Sequence, residues 1–132
     1  MNMNVEFTPM EFRRLLDLVY IGNWIMNSTR GTDRFADYDR LVSKLFALSP
    51  ALSQKLGDFA IPSAAYREGG IHEVISYYED NVFFEILAEE LARRDMDYPE
   101  ISEENSDEIA GRMDRYMAEF EANGLDHVIL EE

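Results

Sequence analysis

From Leu18 to Met26 the chain is apolar on nearly every side of a helix, interrupted only by Gly22 and Asn23. The residues before it already set a helical period. Phe12, Leu15, Leu16 and Val19 share one stripe, and Arg13, Arg14 and Asp17 lie opposite. A helix apolar all round must be covered on every side. The expectation is therefore that neighbouring segments wrap Leu18–Met26, at the centre of a bundle or in an oligomer interface. The run is far shorter than the roughly 20 residues a membrane span needs. Asp17, and Asn27-Ser28-Thr29-Arg30 after the run, oppose a signal-peptide reading despite Arg13 and Arg14.

The start of this helix carries complete signals. Thr8 is an N-cap, Pro9 fits the first helical position and Glu11 completes a capping box, with Phe7 and Phe12 placed as a hydrophobic staple. Its end is expected near Asn27. Gly31-Thr32-Asp33 marks a turn and a second cap, after which Phe35, Tyr38, Leu41, Val42, Leu45 and Phe46 form a helical stripe. Ser49-Pro50 repeats the cap-then-proline signal and predicts a short helix ended by Gly57, followed by a loop over residues 57–70. Over residues 71–94 the apolar stripe moves from Ile71, Val74, Ile75 and Tyr78 to the opposite face at Phe83, Phe84, Leu87 and Leu91. A break at Asp80-Asn81, with Asn81 as a new cap, accounts for that move. Pro99 and seven carboxylates make residues 95–108 a solvated connector. Ser106 or Asp107 then caps a last helix whose buried stripe is Ile109, Met113, Tyr116, Met117 and Phe120, with Gly124 in its C-terminal turn. Residues 2–7 alternate with a strand period and His127–Leu130 reads as a strand, so a two-stranded ribbon joining the termini is expected. The sum is an all-α fold, a compact bundle of about five or six helices, in a single domain over residues 1–132.

Composition narrows the function more by exclusion than by assignment. There is no cysteine, so disulfides, thiolate metal sites and thiol nucleophiles are absent. The net charge of −15 is unevenly spread: residues 1–67 hold 8 Lys/Arg against 7 Asp/Glu, and residues 68–132 hold 4 against 20. Such a field repels phosphate backbones and anionic membranes and attracts basic surfaces. Direct nucleic-acid and membrane binding are therefore not expected. A partner protein with a basic surface is.

The residues that could carry chemistry are few. Glu85 and Glu89 stand one turn apart and could reach one cation, with Glu79, Asp80 and Glu90 nearby. Helical metal sites need such pairs pointing inward from two facing helices. Here Glu85, Glu89 and Arg93 lie opposite the apolar stripe, so an exposed face with a Glu89–Arg93 pair is expected. His72 and Glu73 begin a helix, with Glu79 beyond them; a metal set of His72, Glu73, Glu79, Asp80, Glu85 and Glu89 is the second reading. His72 itself is expected as an exposed polar residue in a first turn. No Gly-x-Ser-x-Gly elbow and no glycine-rich phosphate loop occurs, and no cofactor is implied. Trp24, the only tryptophan, and Tyr77 are the aromatic candidates for a protein–protein contact. With Glu79, Asp80, Glu89 and Glu90 they make up the expected partner-binding set. The leading expectation is a non-catalytic, cytoplasmic interaction or regulatory protein, possibly a homodimer. The alternative is a metal-dependent enzyme or binder with a carboxylate site between helices.

Overall fold

The computed structural model describes residues 1–131, and it is mainly α-helical. In order come helix α1 (Pro9–Asn27), helix α2 (Ala36–Phe46), strands β1 (Ser53–Leu56) and β2 (Phe59–Pro62), helix α3 (His72–Asp95) and helix α4 (Ser106–Asn123). Four helices of more than one turn and a hairpin replace the expected five or six helices. The chain forms two compact units, Met1–Ile75 and Ser76–Glu132. No helix of the described residues is long and apolar enough to cross a membrane.

In the first unit, α1 begins as its sequence dictates. The Thr8 hydroxyl accepts the Glu11 N–H at 3.1 Å, and the Glu11 carboxylate accepts the Thr8 N–H at 2.9 Å. These bonds satisfy donors that a helix start otherwise leaves open. Leu16, Val42, Phe46, Tyr66 and Ile71 make the core, with Leu16 and Phe46 fully buried. The far end of α1 is not wrapped. Leu18 is 68% exposed and Ile25 66%. Residues 28–71 supply only one further long helix and a short hairpin, which is enough to cover one side of α1.

That hairpin occupies the stretch expected as a short helix and loop. Pro50–Leu52 is one 3₁₀ turn, and β1 then pairs antiparallel with β2, Leu56 opposite Phe59 and Ser53 opposite Pro62. Gly57 has φ +62°, the conformation that the first position of a type II′ turn requires and that glycine adopts without strain. The outer edge of β2 is tied to α2, where the Ser43 hydroxyl accepts the Ala60 N–H at 3.0 Å. The expected ribbon at the termini does not form: neither residues 2–7 nor residues 127–130 are strand, and Met3 and Val5 stay exposed. A lone pair of short strands is marginal in water unless a helix supports it, as α2 supports β2.

Helix α3 is unbroken at Asp80-Asn81. Asn81 does not cap; its side-chain amide donates to the Tyr77 carbonyl one turn back at 2.7 Å. The buried residues of α3 are Ile75, which belongs to the first unit, and Ala88 and Ala92, which belong to the second. In the second unit the Phe84 and Phe120 rings lie 5.3 Å apart, while Phe83 is 49% exposed. Helix α4 buries Ile109 and Phe120, and Gly124 ends it with φ +57° and an N–H bonded to the Phe120 carbonyl at 2.8 Å. Its N-cap position is Asn105, not Ser106 or Asp107. The Asn105 side chain is committed to the connector, accepting from Ser102 N–H and donating to the Glu100 carbonyl.

Candidate functional site

A polar knot sits at the junction of α1 and α2 in the first unit. Asn27, the last residue of α1, is fully buried. Its Oδ1 accepts the Phe35 N–H at 2.8 Å, and its Nδ2 donates to Asn23 Oδ1 at 2.7 Å and to the Phe35 carbonyl at 3.2 Å. Phe35 is the N-cap residue of α2 and has no side-chain cap of its own. The cap expected from Thr32 or Asp33 is thus replaced by a buried amide from the preceding helix. Asp33 instead accepts the Gly31 N–H in the turn. Asp39, one turn into α2, accepts two nitrogens of Arg34 at 2.8 and 2.9 Å and the Asn23 amide at 3.1 Å. The Arg34 hydrogen bond foremost, with help from Asn23 and Asn27, holds the Asp39 carboxyl below its ordinary range. Arg34 also donates to the Asn27 carbonyl at 3.2 Å.

Asn23, Arg34 and Asp39 of this knot line an open groove of about 700 Å³ between α1, α2 and the hairpin. Tyr20, Trp24, Leu56, Phe59 and Ile61 give it mostly apolar walls, and Arg34, Asp39 and Arg40 are its charged lining groups. A concave apolar site of this size with a few fixed polar groups is the usual form of a binding site. Behind the wall, His72 does not stand exposed in a first turn. It is half-buried, its Nε2 shares a 2.6 Å hydrogen bond with the Tyr20 hydroxyl, and its ring meets Trp24 edge-on at 4.8 Å. Burial raises the Tyr20 hydroxyl's pKa, and the charge of Arg67 opposes that rise. Asp17, expected on an exposed face, accepts the Tyr66 hydroxyl at 2.8 Å and is paired with Arg13. Burial and the Asp17 carboxylate push the Tyr66 hydroxyl's pKa well up, so it stays a donor.

The remaining candidates fall elsewhere. His72 and Trp24 belong to the first unit with Glu73, while Tyr77, Glu79, Asp80, Glu85, Glu89 and Glu90 belong to the second. Glu73, Glu79, Asp80 and Glu85 are exposed, and among the described residues no three His, Asp or Glu side chains converge as a metal would require. Arg93 pairs with Glu90 at 3.9 Å rather than with Glu89. Tyr77 is 73% exposed. Every described Asp and Glu of the second unit is exposed except Glu89 and Glu119, which are half-buried. At about 100° per residue, Glu79, Glu85, Glu89 and Glu90 fall within one arc of about 140° on α3.

The groove escaped the sequence reading because its walls come from three elements. One signal was present: Gly57-Asp58 between two four-residue runs is a two-residue hairpin loop, with glycine in its first position. By fold and site this is a mainly helical protein with a hairpin-walled apolar groove and an acidic second unit. No family model, no curated protein and no solved structure matches it.

Proposed function

We propose that this is a non-catalytic, cytoplasmic interaction or regulatory protein whose acidic unit engages a basic surface on another protein. The observation that carries the reading is the excess of carboxylates in the second unit, 18 Asp/Glu against 4 Lys/Arg over residues 76–132, with every described one except Glu89 and Glu119 exposed. Three of those four arginines are already in ion pairs, Arg93 with Glu90, Arg94 with Asp95 and Arg112 with Glu108. They neutralise little of the field, so a cationic partner would be steered to this face. The arc of Glu79, Glu85, Glu89 and Glu90 is its centre. Self-association belongs to the same reading, because Leu18, Trp24 and Ile25 of α1 keep apolar surface in water.

Titration of the full chain with an arginine-rich peptide tests the proposal. Binding should be measurable at low salt, should fall steeply by about 0.5 M NaCl as screening shortens to a few ångströms, and should weaken when Glu79, Glu85, Glu89 and Glu90 become glutamine. Binding that ignores both salt and these four substitutions rejects it.

A further inference from the structure

We propose that the groove of the first unit receives the segment Val128–Glu131 from a second copy of the chain. Two unmet requirements point to each other. Val128, Ile129 and Leu130 are 50%, 80% and 93% exposed, lie outside any helix or strand, and place three consecutive apolar side chains in water. Such a run is costly unless something covers it. The groove presents the opposite need, with apolar walls in which Leu56 is 64% and Phe59 54% exposed.

Charge narrows the kind of occupant. Arg34 is neutralised by Asp39. Arg40 has no carboxylate within ion-pairing distance among the described residues, which leaves one free cation on the groove wall. An occupant therefore needs a short apolar stretch with an anionic group beside it. Val128-Ile129-Leu130-Glu131 has both, with Glu131 set to meet Arg40. Reciprocal exchange of two such segments closes a dimer. The contact is small against the roughly 1,200 Å² of a standard stable interface, so the association is weak and reversible. It does not rest on the acidic-face reading, and salt separates the two. Raised salt weakens binding to a basic peptide, whereas it screens the repulsion between two chains of net charge −15 and leaves the apolar contact intact.

The test uses the full chain in a dilution series, read by sedimentation and by the emission of Trp24, which lines the groove and is the only tryptophan. Mass should rise towards a dimer with concentration, with a coincident blue shift of Trp24, at about 0.15 M and about 0.5 M NaCl alike. Ile129→Asp and Arg40→Glu alter exposed side chains, so circular dichroism should be unchanged. Ile129→Asp should weaken self-association at least about tenfold, and Arg40→Glu by a smaller factor that shrinks further at raised salt. Arg40→Glu combined with Glu131→Arg should recover most of it. A chain that is monomeric throughout overturns the proposal, as does a dimer indifferent to both single substitutions. A Trp24 red shift in Ile129→Asp that is independent of concentration also overturns it, because the segment would then dock on its own chain.

Discussion

Replacing Asn27 by alanine removes the amide that joins α1 to the start of α2. The side chain is fully buried, and its two bonds to the Phe35 backbone are 2.8 and 3.2 Å long. Each such bond contributes about 1 kcal/mol net, and a donor stranded without water costs about 1–2 kcal/mol more. The expected loss is about 3 kcal/mol, a large share of the 5–15 kcal/mol typical of a domain. Because Trp24 is the only tryptophan, its emission during urea unfolding reports on the first unit alone. With a slope of about 1.5 kcal/mol per molar urea, the midpoint should fall by about 2 M with the slope unchanged. Asn27→Asp should be worse at neutral pH. It keeps the acceptor for the Phe35 N–H but turns the donating nitrogen into an anion facing Asn23 Oδ1, the Phe35 carbonyl and Asp39. Acid should restore part of that loss. A midpoint for Asn27→Ala within about 0.3 M of the parent would refute the reasoning, because the knot would then be incidental to the fold.

Thr8→Ala opens the capping box of α1 and should lower the same unfolding midpoint by an amount equivalent to about 1 kcal/mol; no change would mean that the start of α1 frays freely. Asp39 gives a pH signature. Its folded-state carboxyl is held below the ordinary range, chiefly by Arg34, so its stabilising contribution is complete above the unfolded value of about 3.9 and is lost as pH falls through the folded value. The melting temperature read from Trp24 should therefore drop more steeply below about pH 4 in the parent than in Asp39→Asn, and equal slopes would remove Asp39 from the account.

The mainly helical class, the start of α1 and the end of α4 could be read from local pattern, because the signals for a helix lie within a few residues of one another. Thr8-Pro9 with Glu11 places the start of α1, the spacing of Ile109, Met113, Tyr116 and Phe120 sets the buried face of α4, and Gly124 ends it. The acidity of the second unit was equally legible, since carboxylates without partners turn outward whatever the fold. Everything that depends on which segments meet was decided by the tertiary structure. The hairpin exists because β1 and β2 pair and because Ser43 on α2 holds an edge of β2. Asn81 stays inside an unbroken α3, its amide bonded to the Tyr77 carbonyl one turn back. Leu18 and Ile25 remain in water because the segments available cover α1 from one side only. His72, Asn27 and Asp39 acquire their roles from partners up to 52 residues away. A local pattern says which side chains want burial or a hydrogen bond. Only the assembled chain, by choosing among distant partners under a fixed supply of apolar cover, decides which of them obtain it.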